Sequence, residues 1–282
     1  MSAKPSPFIK LLTLGVLISV LAAPAALEAG KKKKPPKDKP PADQGGGQQQ
    51  GGGGESAPAQ ETPPEVRTAD RQLWEYKTGA ARSTVDSVAG KADSNGPVAT
   101  ALGRVLEQEK NYGESEARLR KATELAPSDP AAFVYLGETL LRQRKQGDAD
   151  AAFRKAEELG NAQGGKDGSY FRGIALQRLR RFDEAVQALE QARGADPGNS
   201  LIPFQIGVTR VFQEQWQPAM DQLNQAIDMD SGIAYAYFYR GLAADKLGRK
   251  DLLVNDMGRF LALAPSSPEA DRAKAILRAA QH

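Results

Sequence analysis

The stretch Gly160-Asn-Ala-Gln-Gly-Gly165-Lys166 has the spacing GxxxxGK, in which the backbone amides of a glycine-rich loop and a lysine hold the phosphates of a nucleotide. That chemistry needs a Ser or Thr next, for magnesium, and a strand before the loop. Here Asp167 follows, and Ala151–Leu159 has the apolar spacing of a helix. A glycine-rich helix end accounts for the residues better. Asp228-Met-Asp230-Ser-Gly232 opens like a calcium loop, but its twelfth position is Tyr239 where a bidentate acid is required, so it reads as turn chemistry. The chain has no cysteine, which removes thiolate nucleophiles, redox pairs, disulfides and cysteine-ligated metals. Its one histidine, His282, is the last residue of the sequence, where a Ser-His-Asp triad or an HExxH zinc site would rest on a fraying end. The acid pairs Glu157-Glu158 and Asp183-Glu184 fall on polar helix faces and read as solvated. No catalytic residue, no cofactor site and no metal site is therefore expected, and the protein is read as no enzyme.

Charge divides the chain. Of 38 Lys+Arg and 35 Asp+Glu, residues 1–61 hold eight lysines and five acids, leaving 30 basic and 30 acidic residues in 62–282. So balanced a body is not expected to bind nucleic acid. Lys4 and Lys10 precede an uncharged run whose strongly apolar part, Leu11–Ala23, is 13 residues, and Ala23-Pro24-Ala25 matches a cleavage site. Residues 1–29 are thus expected to be a signal peptide, placing the body in the periplasm or outside the cell. The alternative is an uncleaved inner-membrane anchor, which the lysines among Lys31–Lys39 favour by holding their side in the cytoplasm. Residues 30–64 read as a disordered linker: Lys31–Pro64 contains seven glycines, seven prolines and no Leu, Ile, Val or Phe. Weak contact of Lys31–Lys39 with an anionic membrane surface is a secondary expectation.

In the body, Gly103, Gly137, Gly173, Gly207 and Gly241 are separated by 34, 36, 34 and 34 residues. With 28 glycines in 282 residues, four such matches arise by chance on the order of once in 10⁴. Ala122, Ala156, Ala192 and Ala226 keep the same intervals, as do Tyr112, Phe182 and Trp216 among aromatics, and Pro127, Pro197 and Pro265 close three units. Within a unit the apolar spacing is helical, as in Phe133, Leu136, Leu140 and then Ala149, Ala152, Phe153, Ala156. Each unit is thus two helices, with small residues where they approach closely.

These columns resemble the tetratricopeptide repeat family. Unit three follows the family pattern most closely, with Gly173, Leu176, Phe182, Ala185, Leu189, Ala192 and Pro197 in register. The first family position, usually Trp, is instead Ala99, Phe133, Ser169, Pro203 and Tyr237, and unit five replaces two alanines by Leu253 and Phe260. The resemblance implies an all-α, right-handed α-solenoid of helix-turn-helix repeats. Five repeats span 96–267, in units 96–129, 130–163, 166–199, 200–233 and 234–267, with a two-residue insertion at Gly164-Gly165. Residues 65–95 are a degenerate sixth, with Ala81, Val85 and Val88 in column. Residues 268–282 are expected to be a capping helix started by Ser266 or Ser267 and Pro268.

The resemblance also implies that the first helix of each unit lines an inner groove, where a protein or peptide partner binds without catalysis. Its fifth positions are Thr100, Val134, Tyr170, Phe204 and Phe238, and its ninth are Arg104, Glu138, Ile174, Val208 and Leu242; Leu201, Val211 and Tyr235 lie on or near the same surface. The wall passes from polar to apolar along the stack. It could accept an apolar segment or an amphipathic helix, or a second copy of the chain, or its aromatics could complete packing between units. The pairs Thr100/Arg104 and Val134/Glu138 do not match the Lys and Asn of the family's carboxylate clamp, and none is expected. On the groove reading, Phe204→Asp with Phe238→Asp weakens partner capture and leaves melting nearly unchanged.

Overall fold

A computed structural model describes residues 60–280. Among these residues there are thirteen α-helices, one short 3-10 turn at Ala89–Lys91 and no strand. The helices are α1 (Pro64–Trp74), α2 (Thr78–Asp86), α3 (Gly96–Gln108), α4 (Tyr112–Leu125), α5 (Pro130–Arg142), α6 (Gln146–Gln163), α7 (Gly165–Arg178), α8 (Phe182–Ala195), α9 (Leu201–Phe212), α10 (Trp216–Met229), α11 (Ala234–Lys246), α12 (Lys250–Leu263) and α13 (Ala270–Ala280). Six antiparallel hairpins followed by a single helix make an all-α repeat solenoid. The signal-peptide segment and the Lys31–Lys39 cluster lie outside the described residues. No helix among the described residues is long and apolar enough to cross a membrane.

Local chemistry starts and stops these helices. Asn95 and Asp129 cap α3 and α5 through their side-chain oxygens, accepting from the amides of Val98 at 3.0 Å and Ala131 at 2.9 Å, and proline occupies the first turn of both helices. Every hairpin turns in one way. Tyr76, Lys110, Arg144, Arg180, Glu214 and Gly248 all have φ between 58° and 74°. After each, the next amide reaches back five residues, as Lys77 to the Gln72 carbonyl and Arg181 to the Leu176 carbonyl. This is a Schellman close, and it recurs at the repeat spacing from the N-terminal hairpin onward.

The glycine column marks where the two helices of a hairpin touch. A Cβ at Gly103, Gly137, Gly173, Gly207 or Gly241 would lie 2.5–2.7 Å from an atom of Leu119, Phe153, Leu189, Leu223 or Met257 respectively, so the second helix sets a large side chain into the space the glycine leaves. In the N-terminal hairpin the same two positions are Ala69 and Val85, both fully buried: a slightly larger residue meets a smaller one. The insertion Gly164-Gly165 is absorbed between α6 and α7, where both glycines take φ near +60°.

The last helix starts later than the sequence suggested. The Ser267 side-chain oxygen is buried without a partner and does not cap; its backbone carbonyl instead accepts from the Ala270 amide at 3.1 Å, and α13 begins at Ala270. Ala270 and Ala273 bury the helix face that meets the stack.

Candidate partner-binding wall

The first helices of successive hairpins, α1, α3, α5, α7, α9 and α11, touch in order and form one continuous inner wall. Near its start the wall is held by charge. Asp70 of α1 pairs with Arg104 of α3, whose guanidinium also stacks on the Tyr135 ring at 4.2 Å and approaches Trp74 at 5.8 Å. Arg142 of α5 donates to Glu107 of α3 at 3.1 Å, and Arg178 of α7 donates to Glu138 of α5. Burial pushes the Glu107 carboxyl above its ordinary value, while Arg142 pulls it back.

In the middle, charge gives way to neutral hydrogen bonds. Gln177 donates its amide to the Thr209 hydroxyl at 2.8 Å and to the Gln205 carbonyl at 3.2 Å. Beyond it the wall is aromatic. Phe204, Phe212, Tyr235, Phe238, Tyr239 and Phe260 form an unbroken chain of edge and tilted contacts, the closest being Phe238 to Phe260 at 4.9 Å.

The wall curves until its ends meet. The Trp74 ring, at the end of α1, sits edge-on to Phe204 of α9 at 6.1 Å, and the Tyr76 ring lies 5.9 Å from Tyr235 of α11. Between them Glu75 lies against Gly232, its Cγ 3.2 Å from where a Cβ of that glycine would stand. From the other end, Glu269 accepts from the Tyr235 hydroxyl and comes within 3.9 Å of Arg142. Burial first, then the Glu269 charge, raises the Tyr235 hydroxyl well above an ordinary tyrosine.

The structure thus brings the sequence-derived groove residues onto one wall but covers most of them. Arg104, Val134, Tyr170, Ile174, Phe204, Val208, Phe238 and Leu242 are buried; Glu138, Leu201 and Tyr235 are partly exposed. Phe238, at 1% exposure, is a core residue, so the expectation that Phe204→Asp with Phe238→Asp leaves melting unchanged is corrected: two buried charges would unfold this end of the stack. The wall residues that reasoning from sequence missed are Asp70, Glu75, Tyr76, Glu107, Arg142, Arg178 and Glu269, together with the reach of Trp74, expected to pack with Leu73 on the first repeat, as far as Phe204. A signal existed for some of them: Asp70 stands 34 residues before Arg104, in the ninth-position column.

The other motifs take no part. Gly160 lies inside α6, where a Cβ would come 2.6 Å from the Gly168 carbonyl, so the glycines of the GxxxxGK stretch serve a helix crossing rather than a phosphate cradle. Asp230 accepts from the Gly232 amide at 2.8 Å and closes a turn. No cluster of three or more His, Asp or Glu able to hold a metal occurs among the described residues.

With this geometry in hand, comparison with known proteins finds that the tetratricopeptide repeat family matches residues 100–167, the span from α3 to the start of α7. Residues 100–167 belong to the tetratricopeptide repeat family, and the hairpins on either side of them keep the same turn and crossing geometry. Solved structures share the fold. TTC0263, a thermophilic tetratricopeptide-repeat protein of Thermus thermophilus, is 19% identical with TM-score 0.52, over 64% of this chain and 97% of that one. In the hetero-tetramer Cut9-Hcn1 of APC/C, the match is 14% identical with TM-score 0.54 over 77% of this chain, which spans only 42% of that chain. No curated protein matches. The fold supports a protein–protein interaction scaffold.

Proposed function

We propose that this protein is a non-catalytic scaffold, exported to the periplasm or beyond, that holds a protein or peptide partner against its inner wall. The observation that carries the reading is the occupancy of that wall: the chain's own segment Trp74–Tyr76 is seated on Phe204, Tyr235 and Arg104, so the wall's chemistry is that of a receptor for a protein segment. Export is supported by the layout of Lys4, Lys10 and the apolar run Leu11–Ala23. The linker would let the repeats reach a partner away from the membrane.

The test places a photo-crosslinking amino acid at Leu201, on the groove rim, or at Lys155 on the outer face, in cells producing the full chain. A discrete protein adduct from position 201, absent from position 155, is expected; adducts from the outer face alone would overturn the groove reading. N-terminal sequencing of the same material tests export. A start between Ala26 and Lys31 is expected. Retained Met1 would favour the second reading, a membrane-anchored assembly factor with its repeats on the cytoplasmic side, for which the lysines of Lys31–Lys39 are the motivating observation.

A further inference from the structure

The α1–α2 turn does something that no other turn in the stack does. Five hairpins expose the residue at their left-handed position, whether Lys110, Arg144, Arg180, Glu214 or Gly248. In the sixth it is Tyr76, partly buried across the wall against Tyr235, with Trp74 and Glu75 beside it on Phe204 and Gly232. The contacts are mainly aromatic: the Trp74 ring lies against Phe204 and the Arg104 guanidinium, the Tyr76 ring against Tyr235, and the Glu75 methylene against Gly232. They are also incomplete. Trp74, Glu75 and Tyr76 all retain some exposure, and Glu75 pairs its charge with the exposed Lys77 at 2.6 Å rather than with the wall.

We infer that Trp74-Glu75-Tyr76 is an intramolecular latch occupying the seat of the partner, and that the partner presents a segment of the same chemistry, two aromatic side chains one residue apart, which displaces it. This rests on the groove reading above and adds its regulation. A tethered occupant competes at an effective concentration in the millimolar range, so a partner in trans binds only in proportion to the fraction of molecules whose latch is open. Release requires the first hairpin to swing away from α9 and α11. The hairpin also stacks on α3, through the apolar cluster of Val66, Ala69, Leu73, Ala81 and Val85 with Val98, Leu102 and Val105 and through Gln108, whose amide donates to the Leu73 carbonyl at 2.8 Å, so the latch moves together with α3.

Because the chain has no cysteine, the latch can be locked reversibly. A sulfur at position 75 would stand near the Glu75 Cγ, 3.2 Å from a Cβ at position 232, a spacing that suits a disulfide. In the full chain, Glu75→Cys with Gly232→Cys should therefore crosslink under mild oxidant, and thiols that stay free would overturn the placement. The probe is a fluorescein-labelled synthetic peptide of residues 62–90, read by anisotropy. We expect no binding to the oxidised protein and measurable binding after reduction. Trp74→Ala with Tyr76→Ala should bind at least tenfold more tightly than the reduced protein. Equal binding to oxidised and reduced forms, or no gain in the open variant, would overturn the latch, provided circular dichroism shows the variant as helical as the parent. Should that variant lose helicity, the oxidised–reduced contrast, measured on one folded protein, decides alone. Light scattering reads the other occupant: a reduced protein that doubles in mass while excluding the peptide would assign the seat to a second copy and overturn the proposal. Peptide binding without any adduct at position 201 would sink the scaffold function and leave the latch; an adduct at position 201 without peptide binding would do the reverse.

Discussion

The two halves of the inner wall solve one packing problem with different chemistry. At the ninth position of successive first helices stand Asp70, Arg104 and Glu138, then Ile174, Val208 and Leu242. The first three are joined to their neighbours by ion pairs, and the last three are buried among apolar side chains. The division extends to the outer helices, where Glu116 of α4 accepts from Lys145, Arg120 and Gln143, while the equivalent position in α10 is the buried Met220. A stack of identical backbones therefore has an electrostatic end and a hydrophobic end. The first should soften with salt; the wall of the second should respond to loss of volume, although a buried ion pair, Arg240 with Asp256 at 2.7 Å, joins α11 to α12 there. Trp74 and Glu269 carry each kind of contact across to the opposite half.

The largest effect is expected at the aromatic end. Phe238→Ala removes a ring packed on Tyr235, Tyr239 and Phe260 and should cost about 3–5 kcal/mol by urea unfolding, with little change between low and high salt. A cost below about 1 kcal/mol would mean that this end tolerates a cavity and that the contrast is false. At the charged end, Arg104→Ala should cost about 2 kcal/mol, less than a fully buried pair would, because the Asp70 side chain it abandons is 41% exposed. Arg104→Lys should recover less than half of that, since an ammonium cannot reproduce the flat stacking on Tyr135. Full recovery by lysine would show that charge alone, without the ring, holds this end.

Much of this was legible in the residues. The glycine and alanine columns carry the helix pairs because a hairpin crossing leaves no room for a Cβ at the glycines and buries the alanines completely, and spacing alone records that. The closing of the wall was not legible. Trp74 and Phe204 are 130 residues apart, and their meeting depends on small rotations added up over several hairpins, none of which leaves a mark in a periodic pattern. Of the two readings open for the wall aromatics, packing accounts for Phe238 through Phe260 of its own hairpin, whereas Phe204 is covered in part by Trp74 from across the wall. Ser267 misled for a local reason: a serine before a proline has the pattern of an N-cap, but its carbonyl had already taken the Ala270 amide.

Acid should separate the halves further. Hydrogen bonds from Lys145 first, then from Arg120 and Gln143, hold the Glu116 carboxyl down to about 2. A carboxyl held low in the folded chain adds stability above its ordinary value of 4.5, and that stability is lost as pH falls toward 2. The stability difference between the parent and Glu116→Gln, read by urea unfolding, should therefore be present at pH 6 and shrink by pH 3. Its size should stay below about 1 kcal/mol because water screens the cluster. Met220→Leu, at the equivalent position of the apolar end, should show the same small difference at both pH values. An unchanged Glu116 difference at pH 3 would show that the site packs rather than pairs.

The smallest expected effect is a gain. Five of the six turns place a side chain where φ is positive, and the sixth uses glycine, at Gly248 with φ 74°. An L-residue there works against its own Cβ, by about 1 kcal/mol, while glycine gives back part of the advantage through its freer unfolded chain. Lys110→Gly should thus stabilise by about 0.5 kcal/mol, and Gly248→Arg should destabilise by a similar amount, since nothing within 4 Å of a Cβ at Gly248 adds a steric cost. Tyr76→Gly tests the same backbone geometry against the latch. If Tyr76 served its turn alone, the glycine would stabilise as Lys110→Gly does; because its ring also rests on Tyr235, the expected result is a net loss. Matching gains at 76 and 110 would place the first turn with the other five and remove the contact on which the closed wall depends.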